Sequence, residues 1–251
     1  MHTMRRDSST VGWNGLGDDW IAFAQKNESR IHFILPNMLQ YLGDVRGKAL
    51  LDLGCGEGGY ARELARRGAQ VWAVDCAELA IAYASERAQQ EQLSVRHLVR
   101  NSSDLWGLES GSFDVVLCSM MLMDCEDLEG TLREIARVLR PGGLLCASVL
   151  HPCFNGHYEL GIGRQGEGAE RQVVVRNYFE PREWSAPVGD SATPVVWRHR
   201  TLEEYVKSFV RCGLTIVDLW EPRATAEQAR LSRTMALLDR VPLYLYWKLQ
   251  K

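Results

Sequence analysis

Leu51-Asp52-Leu53-Gly54-Cys55-Gly56-Glu57-Gly58-Gly59-Tyr60 is the stretch that decides how this chain is read. The apolar run Ala49 to Leu53 predicts a short buried strand. The glycines after it permit a tight strand-to-helix turn and let a ligand approach the backbone closely. Gly54, Gly56 and Gly59 satisfy the dinucleotide pattern G-x-G-x-x-G, so the loop by itself suits a nicotinamide cofactor as well as another nucleoside. Asp75 stands about 20 residues after Gly54 at the end of the next apolar run, where a carboxylate can accept from both ribose hydroxyls. Asp52 points elsewhere: a carboxylate just before the first glycine repels a pyrophosphate and attracts an ammonium group.

Outward from this loop the pattern alternates. A helix from Tyr60 to Arg67 is closed by Gly68, and Val71 to Val74 forms a second strand. Ala77 to Gln92 reads as helix, Val95 to Val99 as the third strand and Phe113 to Cys118 as the fourth. Leu128 to Leu139 is an amphipathic helix stopped by Pro141-Gly142-Gly143, and Leu144 to Leu150 is the fifth strand. Such alternation implies right-handed crossovers and a parallel sheet. Upstream, Trp13 to Leu42 reads as helix, with Pro36 beginning or kinking a second one.

The rhythm breaks between His151 and Arg200, which holds Gly156, Gly161, Gly163, Gly166 and Gly168 and then Tyr178, Phe179, Trp184 and Trp197. This reads as an insertion or lid, with too little regular apolar pattern for its own core. Alternation resumes with a helix from Leu202 to Arg211, a sixth strand from Leu214 to Leu219 and a seventh from Val241 to Leu249, after a polar loop around Glu221 to Arg233. One domain over 1–251 is therefore expected: an N-terminal helical cap (1–44), a cofactor-binding core (45–150), the insertion (151–200) and the C-terminal part of the sheet (201–251).

Composition excludes several classes. Of 251 residues, 46% are hydrophobic and 24% charged, which argues against wholesale disorder. A net charge of −3 gives no sign of a basic face for long nucleic acids, and Arg62, Arg66 and Arg67 read as a solvated helix face. The seven cysteines are odd in number and contain no C-x-x-C pair, which points to free thiols in a reducing, cytoplasmic compartment. Met1 to Thr10 has no apolar stretch behind its arginines, so no signal peptide is expected, and no apolar run approaches the ~18 residues of a membrane span.

Taken together, LDLGCGEGGY, VWAVDCAE, FDVVLCSMMLMD and EIARVLRPGGLLCASV, in that order and spacing, resemble class I S-adenosylmethionine-dependent methyltransferases. The resemblance spans roughly residues 45 to 250. It implies an α/β Rossmann-like fold: a seven-stranded, mostly parallel sheet with helices on both faces and the last strand antiparallel, joined by N-terminal helices and the lid insertion. It also implies S-adenosylmethionine as cofactor, S-adenosylhomocysteine as product, and no metal. Asp52, Gly54 and Gly56 would line the methionine and ribose portion, Asp75 would hold the ribose hydroxyls, and Cys76 would lie beside the adenine. Asn101 and Ser102 stand where the family often has Asp-Ala at the adenine edge. Ser119 and Met120 fall beside the expected sulfonium.

His151, in His151-Pro152-Cys153-Phe154, follows the fifth strand at the ligand-binding edge. A subgroup of small-molecule methyltransferases is similar there, which makes His151 the candidate general base ahead of His157 and His199. Trp13, Trp20, Tyr178, Trp184 and Trp197 are candidate substrate-pocket aromatics. The expected acceptor is nitrogen or oxygen of a small aromatic or heteroaromatic metabolite, in secondary metabolism, with no nucleic acid or membrane partner and the chain as monomer or homodimer. The alternatives are a tRNA or other nucleic-acid methyltransferase, an NAD-dependent oxidoreductase with the same glycine loop, and a non-catalytic S-adenosylmethionine-binding regulator.

Overall fold

The described residues, 6–154, 163–165, 172–175, 177–189 and 191–251 of a computed structural model, begin with helices. In α1 (Ser8–Leu16) the Asp7 side chain caps the first turn, accepting from the Thr10 amide at 2.8 Å. Gly17, at φ +53°, separates α1 from α2 (Asp18–Lys26). A π-helical turn, Arg30–Ile34, then leads into α3 (Leu35–Leu42), with Pro36 in its first turn, where a missing N–H leaves no gap. The helix expected from Trp13 to Leu42 is thus helical in kind but starts earlier and is broken. The sequence cue to that start is the Asp7 cap, and the cue to the break is Gly17.

The core alternates as β1 (Ala49–Leu53), α4 (Gly59–Arg66), β2 (Gln70–Asp75), α5 (Glu78–Gln90), β3 (Val95–Val99), β4 (Phe113–Ser119), α6 (Leu128–Val138) and β5 (Leu139–Leu150). Two antiparallel pairs follow, β6 (Gly163–Gln165) with β7 (Gln172–Val174) and β8 (Arg182–Pro187) with β9 (Pro194–His199). The chain closes with α7 (Leu202–Arg211), β10 (Thr215–Trp220), α8 (Arg233–Leu238) and β11 (Tyr244–Gln250). Seven strands form one sheet in the order β10-β11-β5-β4-β1-β2-β3, parallel except for β11, which runs against both neighbours. This is the Rossmann-like sheet, last strand antiparallel, that the sequence led us to expect.

Period-two alternation along the strands builds two cores. Leu50, Val71, Ala73, Val115 and Leu117 face α3 and α4 with Met38 and Leu64, while Leu51, Leu53, Val74, Val116 and Cys118 face α6 with Leu132 and Ile135. Each fully buried leucine contributes roughly 1.5–3 kcal/mol of burial, so both faces are anchored independently. Asp52 shares the face of Leu50, beneath the start of α4.

Differences from expectation have local causes. β5 starts at Leu139, not Leu144: Arg140 to Gly143 form an irregularity opposite Asp114, pinned by an Arg140–Asp114 ion pair of 2.5 Å. The insertion is more regular than its sequence suggests, because Trp184 and Trp197 pair across β8 and β9 with stacked rings 6.5 Å apart. Val195 of that hairpin packs against Gly12 of α1, and a small cluster of Leu16, Val188 and Val195 draws in Trp13, Trp20 and Trp197. Gly156, His157, Gly161, Gly166 and Gly168 lie outside the described residues. Among the described residues, no helix is long and apolar enough to cross a membrane.

Candidate active site

Strand order reverses between β1 and β4, and a cavity opens above the carboxyl ends of β1, β2 and β4, the place where open α/β sheets bind ligands. Its empty volume, mouth included, is about 750 Å³. Leu53, Gly54 and Gly56 come to it from the first loop, Asp75, Cys76 and Ala77 from the end of β2, Asn101 and Ser102 from beyond β3, and Met120 and Met121 from the end of β4. The roof is the N-terminal cap, through Asp7, Ser9, Thr10, Trp13 and Trp20.

The glycines are there because their backbone and their surroundings both exclude a side chain. Gly54 has φ +75° and a Cβ on it would sit 2.7 Å from Met121 Cβ. A Cβ on Gly56, at φ +54°, would meet Trp20 Nε1 at 3.1 Å. Asp75 is oriented by its own loop: Oδ2 accepts from the Gly56 amide at 2.8 Å and Oδ1 from the Ala77 amide at 2.9 Å. Burial raises its carboxyl above the usual range, and those two amides oppose the rise.

Asp52 is not part of the cavity wall but lies directly under it, 1% exposed, with Oδ2 accepting no hydrogen bond from the described residues. Burial, then repulsion from Asp75, pushes its carboxyl up to about 7. Glu57, also buried, is satisfied: Arg62 binds it at 2.9 Å, and Arg30 reaches it from the π-helical turn, fastening the N-terminal cap to the glycine loop.

Seven of the nine candidate cofactor residues, Gly54, Gly56, Asp75, Cys76, Asn101, Ser102 and Met120, thus line one cavity, joined by Trp13 and Trp20. Asn101 is committed to the cap: Nδ2 donates to Asp7 at 2.9 Å and to Thr10 at 3.0 Å, and Oδ1 accepts from the Ser103 amide at 2.9 Å. Ser119 is turned inward, donating to the Tyr60 hydroxyl at 3.0 Å.

The structure does not bring His151 into this cavity. Its Nδ1 accepts from the Cys153 amide at 3.1 Å, which leaves Nε2 as the protonated nitrogen facing Glu221 at 2.9 Å. Burial lowers its basicity, and Glu221 opposes that. Tyr178 and His199 are likewise occupied elsewhere, the Tyr178 hydroxyl accepting from the Leu202 amide at 2.8 Å and His199 meeting the Tyr178 carbonyl at 2.8 Å. Trp184 and Trp197 line a separate small cleft with Leu150 and Tyr205. Residues overlooked in the sequence are Asp7 and Thr10, signalled only by the cap pattern, and Asp124, the acid that ends the apolar run after β4.

Asp52, with an orphaned buried acceptor beneath a glycine cradle, and Asp75, with two fixed oxygens at the cavity edge, together offer an anionic donor-poor setting. It fits a cationic nucleoside bearing vicinal hydroxyls. The fold is the Rossmann-like methyltransferase fold.

Comparison with known proteins agrees. Residues 51–147 match the family model described as a methyltransferase domain. The ubiquinone biosynthesis O-methyltransferase of Xanthomonas oryzae pv. oryzae (strain PXO99A) is 36% identical over 124 residues, covering 48% of this chain and 52% of the relative. That of Coxiella burnetii (strain Dugway 5J108-111) is 29% identical over 156 residues, covering 61% and 66%. This chain therefore spans about half to two thirds of the length of these curated relatives. The crystal structure of an S-adenosylmethionine-dependent methyltransferase from Mesorhizobium loti superposes with a TM-score of 0.73 at 25% identity, covering 90% of this chain and 99% of that one.

Proposed function

We infer that this chain is an S-adenosylmethionine-dependent methyltransferase acting on nitrogen or oxygen of a small, aromatic or heteroaromatic acceptor. The observation that carries this is the placement of two carboxylates at neighbouring strand ends around the glycine loop, one with an unpartnered oxygen under the loop and one held by backbone amides at the cavity edge.

When bound, the cofactor supplies a methyl group already activated by a sulfonium. The chain need not provide a nucleophile, and its residues position, desolvate and handle charge. Asp75 would accept from the ribose hydroxyls with the lone pairs that its amide partners leave free. Asp52 would balance the aminoacyl ammonium, its own carboxyl losing a proton as that cation arrives. Gly54 and Gly56 would let the ligand close on the backbone, with Cys76, Asn101 and Ser102 bordering the base and Met120 the sulfur, while Ser119 would support that strand end through Tyr60. The cap, through α1 and α2, would roof the cavity and exclude water, and Trp13 and Trp20 would offer a face to a flat acceptor. Tyr178, Trp184 and Trp197 would act in the insertion as its supporting aromatics. His151 would shape the loop after β5 rather than receive a proton. The names of the curated relatives favour an oxygen acceptor as one class, and the chain is read as a cytoplasmic monomer or homodimer with no metal.

Calorimetric titration with S-adenosylmethionine, S-adenosylhomocysteine and NAD tests this. Micromolar-class binding of the first two with no heat from NAD is expected; tight NAD binding alone would overturn it.

A further inference from the structure

Among the described residues, five carboxylates line the cavity, Asp7, Asp75, Asp124, Glu126 and Asp127, against one guanidinium, Arg100. Four of the five are engaged. Asp7 accepts from Thr10 and Asn101, and Asp75 from Gly56 and Ala77. Glu126 accepts from the Ser8 amide at 2.8 Å, and Asp127 caps α6 through the Gly130 amide at 2.7 Å. Arg100 is folded back, its guanidinium 3.7 Å from the centre of the Trp106 ring and donating to the Val99 and Trp106 carbonyls.

Asp124 is different. It is 6% exposed, and its Oδ1 is buried and accepts no hydrogen bond from the described residues. Its main chain is what holds it in the wall. The amide donates to the Met121 carbonyl at 2.9 Å, and the carbonyl accepts from Arg198 at 2.7 Å and from the Ser9 hydroxyl. The turn that delivers it starts at Met120, a non-glycine residue at φ +58°, a strained conformation of the kind that collects at functional sites. A buried carboxyl oxygen without a hydrogen-bond partner costs stability, so its presence in a ligand cavity calls for a ligand that completes it. The same cavity is lined by Trp13 and Trp20, edge to face with centroids 4.9 Å apart, whose ring faces attract cations.

We propose that Asp124 is the acceptor-side anchor of the cavity, binding the ammonium group of a small amine whose flat apolar body lies against Trp13 and Trp20, and taking a proton from it. The proposal rests on the methyltransferase reading and names its acceptor class. The step balances. The R–NH3+ group gives one proton to the Asp124 carboxylate, and the freed nitrogen lone pair forms the new C–N bond. The methyl C–S bond breaks with its electron pair left on sulfur, and the product is a methylammonium ion. Burial, with repulsion from Asp75, raises the Asp124 carboxyl well above the usual range, against the pull of Arg198 and Arg200. Cys125 and Tyr205 also feel its charge. A carboxyl raised in this way is a stronger base for an ammonium proton once the amine's own charge helps to ionise it.

The full chain, saturated with S-adenosylhomocysteine, is titrated with benzylamine and, separately, with benzyl alcohol. Benzylamine should bind at least about tenfold more tightly, and binding in buffers of different ionisation enthalpy should show release of a proton. Asp124→Asn should erase both the preference and the proton release while keeping S-adenosylhomocysteine affinity within about threefold and a melting temperature no lower than that of the native chain. Equal binding of the two probes, no binding of the amine, or an amine affinity unchanged in Asp124→Asn would each overturn the assignment. Should the native chain fail to bind S-adenosylhomocysteine, the methyltransferase reading falls, and the same two probes titrated without it still judge Asp124.

Discussion

Replacing Asp52 by Asn should make the free protein more stable and its cofactor affinity weaker, a pairing that an ordinary structural residue would not produce. The buried carboxyl is shifted from 3.8 to about 7. At 1.36 kcal/mol per decade, that displacement costs the folded, ionised chain roughly 4 kcal/mol. Asn keeps the shape and removes the charge, but an amide that finds no acceptor gives back roughly 1–3 kcal/mol, leaving a net gain of about 1–3 kcal/mol above pH 7. For a chain of this size that is a rise of several degrees in melting temperature.

The sign with pH follows from which state holds the proton. The unfolded chain loses it near 3.8 and the folded chain near 7, so native stability falls as pH rises between those values. The advantage of Asp52→Asn is therefore absent near pH 4 and full above pH 7. Calorimetric titration of the same variant with S-adenosylhomocysteine should show a loss of roughly tenfold or more, since the ammonium loses its counter-charge. Thermal melts at pH 4.5 and 8 with that titration form the assay. A variant that melts lower at pH 8, or binds as tightly as the native chain, would refute the role given to Asp52.

Asp75→Ala should weaken S-adenosylhomocysteine binding by roughly 2–4 kcal/mol, because a charge-assisted grip on both hydroxyls disappears; titration calorimetry reads this. In the native chain, that affinity should also rise from pH 5 to pH 8 as Asp52 gives up its proton, and the slope should flatten in Asp52→Asn. His151→Ala should lower stability by roughly 1–3 kcal/mol through loss of the Glu221 and Cys153 contacts, while S-adenosylhomocysteine affinity in titration calorimetry stays near native. Arg30→Ala should cost roughly 2 kcal/mol in denaturant unfolding, less than a sole buried partner would because Arg62 still holds Glu57, and should speed hydrogen exchange in α2 and α3.

The sheet was legible because its signals are local and repeated. Leu50 to Leu53, Val71 to Val74 and Val115 to Cys118 are short apolar runs, each followed by a turn and an amphipathic helix, and the glycine loop between them fixes the topology. The meeting of Gly54, Gly56 and Asp75 at one cavity was legible for the same reason, since they sit at fixed offsets from strand ends. Of the expected pocket aromatics, Trp13 and Trp20 alone meet that cavity. Trp13 and Trp20 reach the cavity because α1 and α2 fold back over it through the Asn101 and Arg30 contacts, which no spacing rule announces. His151 looked like a base because it ends a strand, and only the positions of Glu221 and Cys153 show both ring nitrogens spent. Asp124 ends an apolar run that reads as core, and what marks it is the lack of a partner for its Oδ1, a property of packing alone.

A crystal structure of the chain with S-adenosylhomocysteine is the most direct test. Both ribose hydroxyls should lie within hydrogen-bond distance of Asp75, with the aminoacyl ammonium on the Asp52 side of the glycine loop. A nucleoside bound away from these two carboxylates would contradict the assignment of the cavity.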